Sequence, residues 1–186
     1  MFIEKSKEIH KEKEAHAYWP GAFDDIHTDT QRHHLMLSYA LPVMQLMEAA
    51  NVLTVGDSRA RDAAFYKSKL GIYSVASDLS TSHLRPAVEE GYVDKIQDID
   101  IEQIPCEDNS YDYVLAKETF HHWPRPMLGL YECIRVAKKG VILIEPSDSI
   151  NVRTNSYGIS DDYHDSYEEI GNYKYQVSLR EICKAA

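Results

Sequence analysis

The sequence predicts an α/β domain, a Rossmann-like doubly wound parallel sheet with helices on both faces. Three observations carry this. Short apolar runs alternate with amphipathic stretches of roughly ten to twelve residues. The apolar runs end on small or acidic residues such as Gly56, Asp78 and Glu145. The stretches between them close on Gly71 and Gly91, residues suited to helix ends. Strands that alternate with helices imply βαβ units and a parallel sheet buried on both sides. The chain has 186 residues, 44% hydrophobic and 27% charged, which is one domain's worth of ordinary globular composition.

Residues 3–17 are charge-dense. Glu4/Glu8 and Lys7/Lys11 stand at helical spacing, as in a solvated helix. Pro20 and Gly21 make 18–25 a loop. Thr28 or Asp29 caps a predicted helix running to about Ala50 with a kink at Pro42; Leu35, Met36, Tyr39, Val43 and Met47 follow its 3.6 period. Val52–Val55 is the first strand and 59–70 the helix behind it. Ile72–Ala76 is the second strand, leading to Asp78, and 80–90 a helix. Tyr92–Ile96 is a short third strand and 111–116 the fourth. A helix over about 126–137 follows Pro124 and Pro126. Lys138-Lys139-Gly140 reads as a turn into the fifth strand, Val141–Ile144.

The tail has a different texture. Residues 157–175 hold five tyrosines, and 161–169 hold five carboxylates without Lys or Arg. The final YQVSLREICKAA opens an amphipathic helix with no stop signal, so the natural chain is expected to continue. Three segments result: 1–27, a core over 28–146, and an acidic, Tyr-rich tail over 147–186. No good strand candidate follows residue 150. Strand five is therefore expected to need cover at its edge from the tail or from a second copy, which would make a homodimer.

Charge and composition exclude several functions. A net charge of −10 repels phosphate backbones and argues against nucleic acid as a partner. The longest apolar run, Val141–Ile144, is far too short to cross a bilayer, and the N-terminus has no apolar leader. Cys106, Cys133 and Cys183 lie far apart with no CxxC, as expected of reduced thiols in a cytoplasmic protein. No metal site is predicted. His121-His122 and His33-His34 are adjacent pairs whose rings diverge, and no second ligand pair has suitable spacing.

Open parallel sheets bind ligands at the carboxyl ends of their strands, near the point where strand order reverses. Gly56–Arg59, Asp78–Ser80, the 98–106 loop and Lys117–His122 are therefore expected to converge. Asp78, twenty-two residues after Gly56, is placed to accept hydrogen bonds from two ribose hydroxyls. That geometry serves any adenosine-type ligand, and a helix cap is the competing role.

The stretch VLTVGDSRARD resembles motif I of the class I S-adenosylmethionine (SAM) dependent methyltransferases. Gly56 fits the first glycine, Ser58 and Ala60 replace the next two, and Thr54 stands where an acid is usual. The stretch from Asp100 to Pro146 is similar to the second half of the same domain. Its counterparts are Ile104-Pro105-Cys106, Asp108-Asn109-Ser110-Tyr111-Asp112, His121-His122, Arg135-Val136 and Lys138-Lys139-Gly140. The resemblance implies a class I methyltransferase core lacking its last one or two strands, with SAM as cofactor and S-adenosylhomocysteine as product.

By that resemblance Gly56, Asp57, Ser58, Asp78 and Leu79 would hold the ligand. Asp100 would accept from the adenine amino group and Ile101 would offer its backbone N–H; Asp98 takes that place if the register slips by two. Lys117 and Glu118 would lie beside the methionine end, with Glu118 pairing with its ammonium. His121 or His122 would serve as general base, or else anchor the turn at Trp123. Tyr18, Trp19 and Phe23 would form a lid or simply pack on the sheet. The implied activity is methyl transfer to a small-molecule acceptor, a sugar or other metabolite. The competing reading is a SAM-binding or structural domain without turnover, given the altered motif I. An NAD-linked dehydrogenase ranks last, because GDSRAR is not GxGxxG.

Overall fold

The computed structural model describes residues 28–145, and beyond them 8, 166–167, 173–174 and 179–185. Helices α1 (Thr28–Ser38) and α2 (Leu41–Leu46) precede β1 (Asn51–Val55), α3 (Arg61–Leu70) and β2 (Tyr73–Asp78). A 3-10 turn (Ser82–Leu84) leads into α4 (Arg85–Glu89) and β3 (Lys95–Asp98). Then come β4 (Tyr111–Lys117), a second 3-10 turn (Phe120–His122), α5 (Pro126–Val136) and β5 (Ala137–Ile144). Two short strands, β6 (Ser166–Tyr167) and β7 (Tyr173–Lys174), and α6 (Leu179–Ala185) complete the described elements. The lid residues Tyr18, Trp19 and Phe23, and most of 1–27 and 147–186, lie outside the described residues.

The main sheet has the order β3-β2-β1-β4-β5, with every pairing parallel. The chain winds outward one way from β1 to β3, then crosses back to place β4 on the other side of β1. The reversal therefore falls between β1 and β4.

Alternation along the strands builds two layers. Leu53 and Val55 of β1, with Val114 and Ala116 of β4, face a core containing Leu130, Cys133 and Val136 of α5. Val52, Tyr113 and Leu115 face the other way, onto Leu37, Met44, Phe65 and Tyr66. Period-two alternation requires both faces of such a strand to be apolar, which is why these strands read as continuous hydrophobic runs.

Several details correct the sequence expectations. The helix expected over 28–50 is broken, not kinked. It stops at Ser38 and restarts at Leu41 with Pro42 in the first turn of α2, where a missing N–H is harmless. Lys138-Lys139-Gly140 is not a turn but the first half of β5. A Cβ at Gly140 would meet the Tyr113 ring at 3.4 Å, an ordinary contact, so the strand does not depend on glycine there. The third strand lies at Lys95–Asp98 rather than 92–96. The helix expected over 80–90 is a 3-10 turn followed by the short α4. Beyond residue 150, where no strand was expected, β6 and β7 pair antiparallel as a separate two-stranded sheet. Ile182 of α6 packs against the α5 side of the core and, with Leu130, Ile134, Val141 and Leu143, lines an apolar groove beside β5.

Much of the motif that carries the family resemblance is architectural. At the amino ends of the strands, the Asp112 carboxylate accepts from the Ala50 N–H at 2.7 Å and from Lys139 Nζ at 3.1 Å. Arg135 donates to the carbonyls of Ile104 (2.9 Å) and Cys106 (2.8 Å) and to Asp108 (2.9 Å), pinning the loop before β4.

Candidate functional site

Register alone builds a rim. Val55 sits opposite Ser77 and Ala116, Asp78 opposite Asp98, and Lys117 opposite Ile144. The residues that follow each strand therefore lie in a row at one end of the sheet: Gly56–Ser58, Asp78–Leu79, Asp98–Ile101, Lys117–Glu118 and Glu145. The strand ends expected to converge thus share one end of the sheet.

The β1 turn is tight. Gly56 has φ +66°, and a Cβ there would lie 2.1 Å from Thr119 Oγ1 in the loop after β4. Only glycine allows so close an approach. Ala60 (φ 55°) and Glu118 (φ 51°) are also left-handed, a conformation costing a non-glycine residue about 1–2 kcal/mol. Such strain gathers where backbone shape matters.

Asp57 is buried and its side chain turns inward. Its carboxylate accepts from Thr54 Oγ1 (2.9 Å), the Ala63 N–H (3.0 Å) and the Asp62 N–H (3.3 Å), capping α3. The side chain assigned to the cofactor thus serves the helix start, while its own N–H donates to the Ser77 carbonyl at 2.9 Å. Ser58 offers its carbonyl to His83 Nε2 at 2.9 Å, which draws the turn after β2 onto the β1 loop.

Asp78 ends β2 at 3% exposure, and Oδ1 accepts from the Leu79 N–H at 2.7 Å. Asp98 accepts from both the N–H (2.7 Å) and the hydroxyl (2.8 Å) of Thr81, so it braces the β2 loop. Asp100 accepts from the Glu102 N–H at 3.1 Å in its own turn. The Ile101 side chain is buried in the core, close against Gly129 of α5.

The β4 side is assembled from distant segments. Lys117 Nζ donates to His33 Nδ1 at 2.9 Å and lies 3.6 Å from Asp62 and 3.5 Å from Glu118. The side chains of Lys117 and Asp62 are each only 8% exposed. Burial, and then the neighbouring Asp57 charge, push the Asp62 carboxyl up to about 8 despite Lys117. Burial raises Asp57 as well. Glu118 accepts from Arg32 at 3.1 Å. Burial works to raise its carboxyl, but the Arg32 hydrogen bond and the Lys117 charge outweigh it and hold the group below its usual range.

Past the second 3-10 turn, His121 Nδ1 stands 2.5 Å from Glu145 Oε2, while Glu145 Oε1 accepts from the N–H groups of Thr119 (2.7 Å) and Phe120 (2.8 Å). The His121 and His122 rings lie 4.1 Å apart at 46°.

Sequence reasoning missed Arg32, His33, Asp62 and Glu145. In the sequence alone His33 stands out only as half of an adjacent histidine pair, and Asp62 only as a helix residue. Glu145 carried a usable signal, since it directly follows a parallel strand. Among the described residues, no three His, Cys, Asp or Glu side chains come together as a metal-binding set, and no helix is long and apolar enough to cross a membrane.

Residues 53–144 match the family described as methyltransferase domain. No curated protein matches the chain. Among solved structures, it is similar to a Bacillus halodurans protein assigned as a methyltransferase, with 25% identity and a TM-score of 0.58, over 80% of this chain and 65% of that one. A SAM dependent methyltransferase from Aquifex aeolicus is similar at 21% identity and a TM-score of 0.51, over 61% and 65% of the two chains. A chain of the complex between the Haloferax volcanii Trm112 methyltransferase activator and its methyltransferase is similar at 17% identity and a TM-score of 0.65, over 98% and 73%. This chain therefore spans less than two thirds of the Bacillus and Aquifex proteins. Its sheet is that of the class I methyltransferases, and residues 53–144, which hold β1 to β5, are the part of the chain that matches the methyltransferase-domain family.

Proposed function

We propose that this chain binds SAM at the strand-end rim and transfers its methyl group to a small-molecule acceptor. One observation carries the reading: the Gly56 turn, Asp78 and the Lys117–Glu118 pair stand in a row on three adjacent parallel strands. The residues fit the ligand. A nearly buried carboxylate at Asp78 suits two vicinal hydroxyls, and the small residues Gly56, Ser58 and Ala60 leave the β1 loop bare of bulk. Glu118 and its cationic neighbours suit the zwitterionic methionine end. Asp100, with Ile101, is the candidate partner for the adenine edge.

When bound, SAM supplies a methyl group on a sulfonium leaving group. The chain's own part is to bind both ends, exclude water and hold the acceptor in line, and such positioning contributes up to roughly ten kcal/mol of the barrier. The net charge of −10 favours a small acceptor, a sugar among others, over nucleic acid. The core is assigned to 28–146, flanked by 1–27 and 147–186.

Calorimetric titration with SAM tests the site. Asp78→Ala is expected to weaken binding at least a hundredfold, and unchanged affinity rejects the assignment. The second reading, binding without turnover, draws support from Ala60, which holds a left-handed φ of 55° where the family has glycine. Release of S-adenosylhomocysteine in the presence of acceptors excludes it.

A further inference from the structure

We infer that Glu145 is a positioning residue that fixes His121 as the proton acceptor of this site, so that the methyl acceptor is a group still carrying its proton, such as a hydroxyl. The inference rests on the methyl-transfer reading and makes it more specific.

The geometry is directional. Glu145 is bound on both oxygens. Oε1 is held by two backbone donors, the N–H groups of Thr119 and Phe120, at 2.7 and 2.8 Å. Oε2 is thereby left facing His121 Nδ1 at 2.5 Å. Its side chain is 7% exposed, while that of His121 is 17% exposed. A carboxylate can only accept, so a neutral His121 must carry its proton on Nδ1. Nε2 then holds the lone pair, and among the described residues no group hydrogen-bonds to it. A carboxylate that orients an imidazole in this way selects the tautomer and stabilises the imidazolium that forms on proton uptake.

His121 has the carboxylate behind it at the end of β5, which puts it on the same rim as Lys117 and Glu118. In the step this implies, the acceptor O–H proton passes to Nε2 of His121 as the acceptor oxygen takes the methyl group. The S–C bonding pair stays on sulfur, leaving S-adenosylhomocysteine. A preformed thiolate would need no such base.

Glu145→Gln separates this role from simple loop support. The Gln carbonyl can still accept from Thr119 and Phe120, which turns its NH₂ toward His121 Nδ1. Nδ1 must then become the acceptor and Nε2 must carry the proton. The full chain, labelled with ¹⁵N-histidine, is examined at about pH 9, where an ordinary imidazole is neutral. The wild type is expected to show a protonated Nδ1 and a bare Nε2 at His121. Glu145→Gln is expected to show the reverse, with SAM affinity by calorimetry within threefold of wild type. A wild-type His121 protonated on Nε2, or a tautomer unchanged in the variant, overturns the positioning role while leaving the SAM site standing. The wild-type spectrum decides even if the variant fails to fold. Absence of SAM binding in the wild type overturns the methyl-transfer reading, and with it the use of His121 as a base.

Discussion

The two sides of the rim are built differently. Around β1, β2 and β3 the carboxylate bonds described above reach one to seventeen residues along the chain. Asp57 caps a helix five and six residues on, Asp78 accepts from its neighbour Leu79, and Asp98 braces Thr81. Around β4 and β5 the carboxylates answer to groups far away in the sequence. Glu118 is held by Arg32, Lys117 meets His33, and Glu145 meets His121. One side is held by turns and by the pairing of the neighbouring strands β2 and β3. The other exists only once α1 has docked and β5 has joined the sheet. Under the proposed function, the first side holds the nucleoside and the second the methionine end.

The strongest way to disturb the comparison is at Gly56, where the two sides touch. Gly56→Ala places a Cβ at positive φ against Thr119, and is expected to lower unfolding stability by about 2–5 kcal/mol. Adding Thr119→Gly should recover the part due to overlap but not the part due to φ. A urea denaturation series on Gly56→Ala, Thr119→Gly and the double variant separates the two contributions, and full additivity would show that the sides do not meet there.

A smaller effect is expected on the local side alone. Asp57→Ala strips the cap of α3, leaves two backbone N–H groups without that acceptor and leaves the Thr54 hydroxyl only its 3.3 Å bond to the Val75 carbonyl, a loss of about 2–3 kcal/mol. If the local side is autonomous, amide exchange should quicken at Asp62 and Ala63 while the His33–Lys117 contact persists.

The effect smallest per measured step is a slope. Asp62 in the folded protein holds its proton up to about pH 8, chiefly because of burial, whereas the unfolded chain releases it near 4. The folded state therefore binds more protons across this window, and its contribution to stability falls as pH rises from about 4 to 8. The slope is at most roughly 1.4 kcal/mol per pH unit. Asp62→Asn should flatten urea midpoints measured between pH 6 and 8, where the ordinary carboxylates have finished titrating. An identical slope in wild type and variant would mean that Lys117 keeps Asp62 ionised.

The fold was legible because its signals are local and periodic. The apolar runs with acid or glycine ends announced five parallel strands, and the register then made the rim inevitable. Errors came where a neighbour in space decided. Lys138-Lys139-Gly140 has turn-like composition, yet β4 recruits it as strand and Tyr113 occupies the space beside Gly140. At Asp57, part of a ligand-binding motif by resemblance, the side chain accepts from the buried N–H groups of Asp62 and Ala63 at the start of α3, a role only the folded chain shows.

What the residue order determined by itself was the alternation of strands and helices, the placement of Gly56, Asp78 and Lys117–Glu118 at strand ends, and the family likeness of 100–146. These depend on hydrophobic period and turn chemistry, which act over a few residues. Tertiary structure alone decided that Arg32 and His33 would meet Glu118 and Lys117, that Asp62 would be buried beside Asp57, and that Glu145 would stand behind His121. Those pairings bridge up to 86 residues of chain, and only the docking of α1 and the pairing of β5 with β4 bring the partners within hydrogen-bond range.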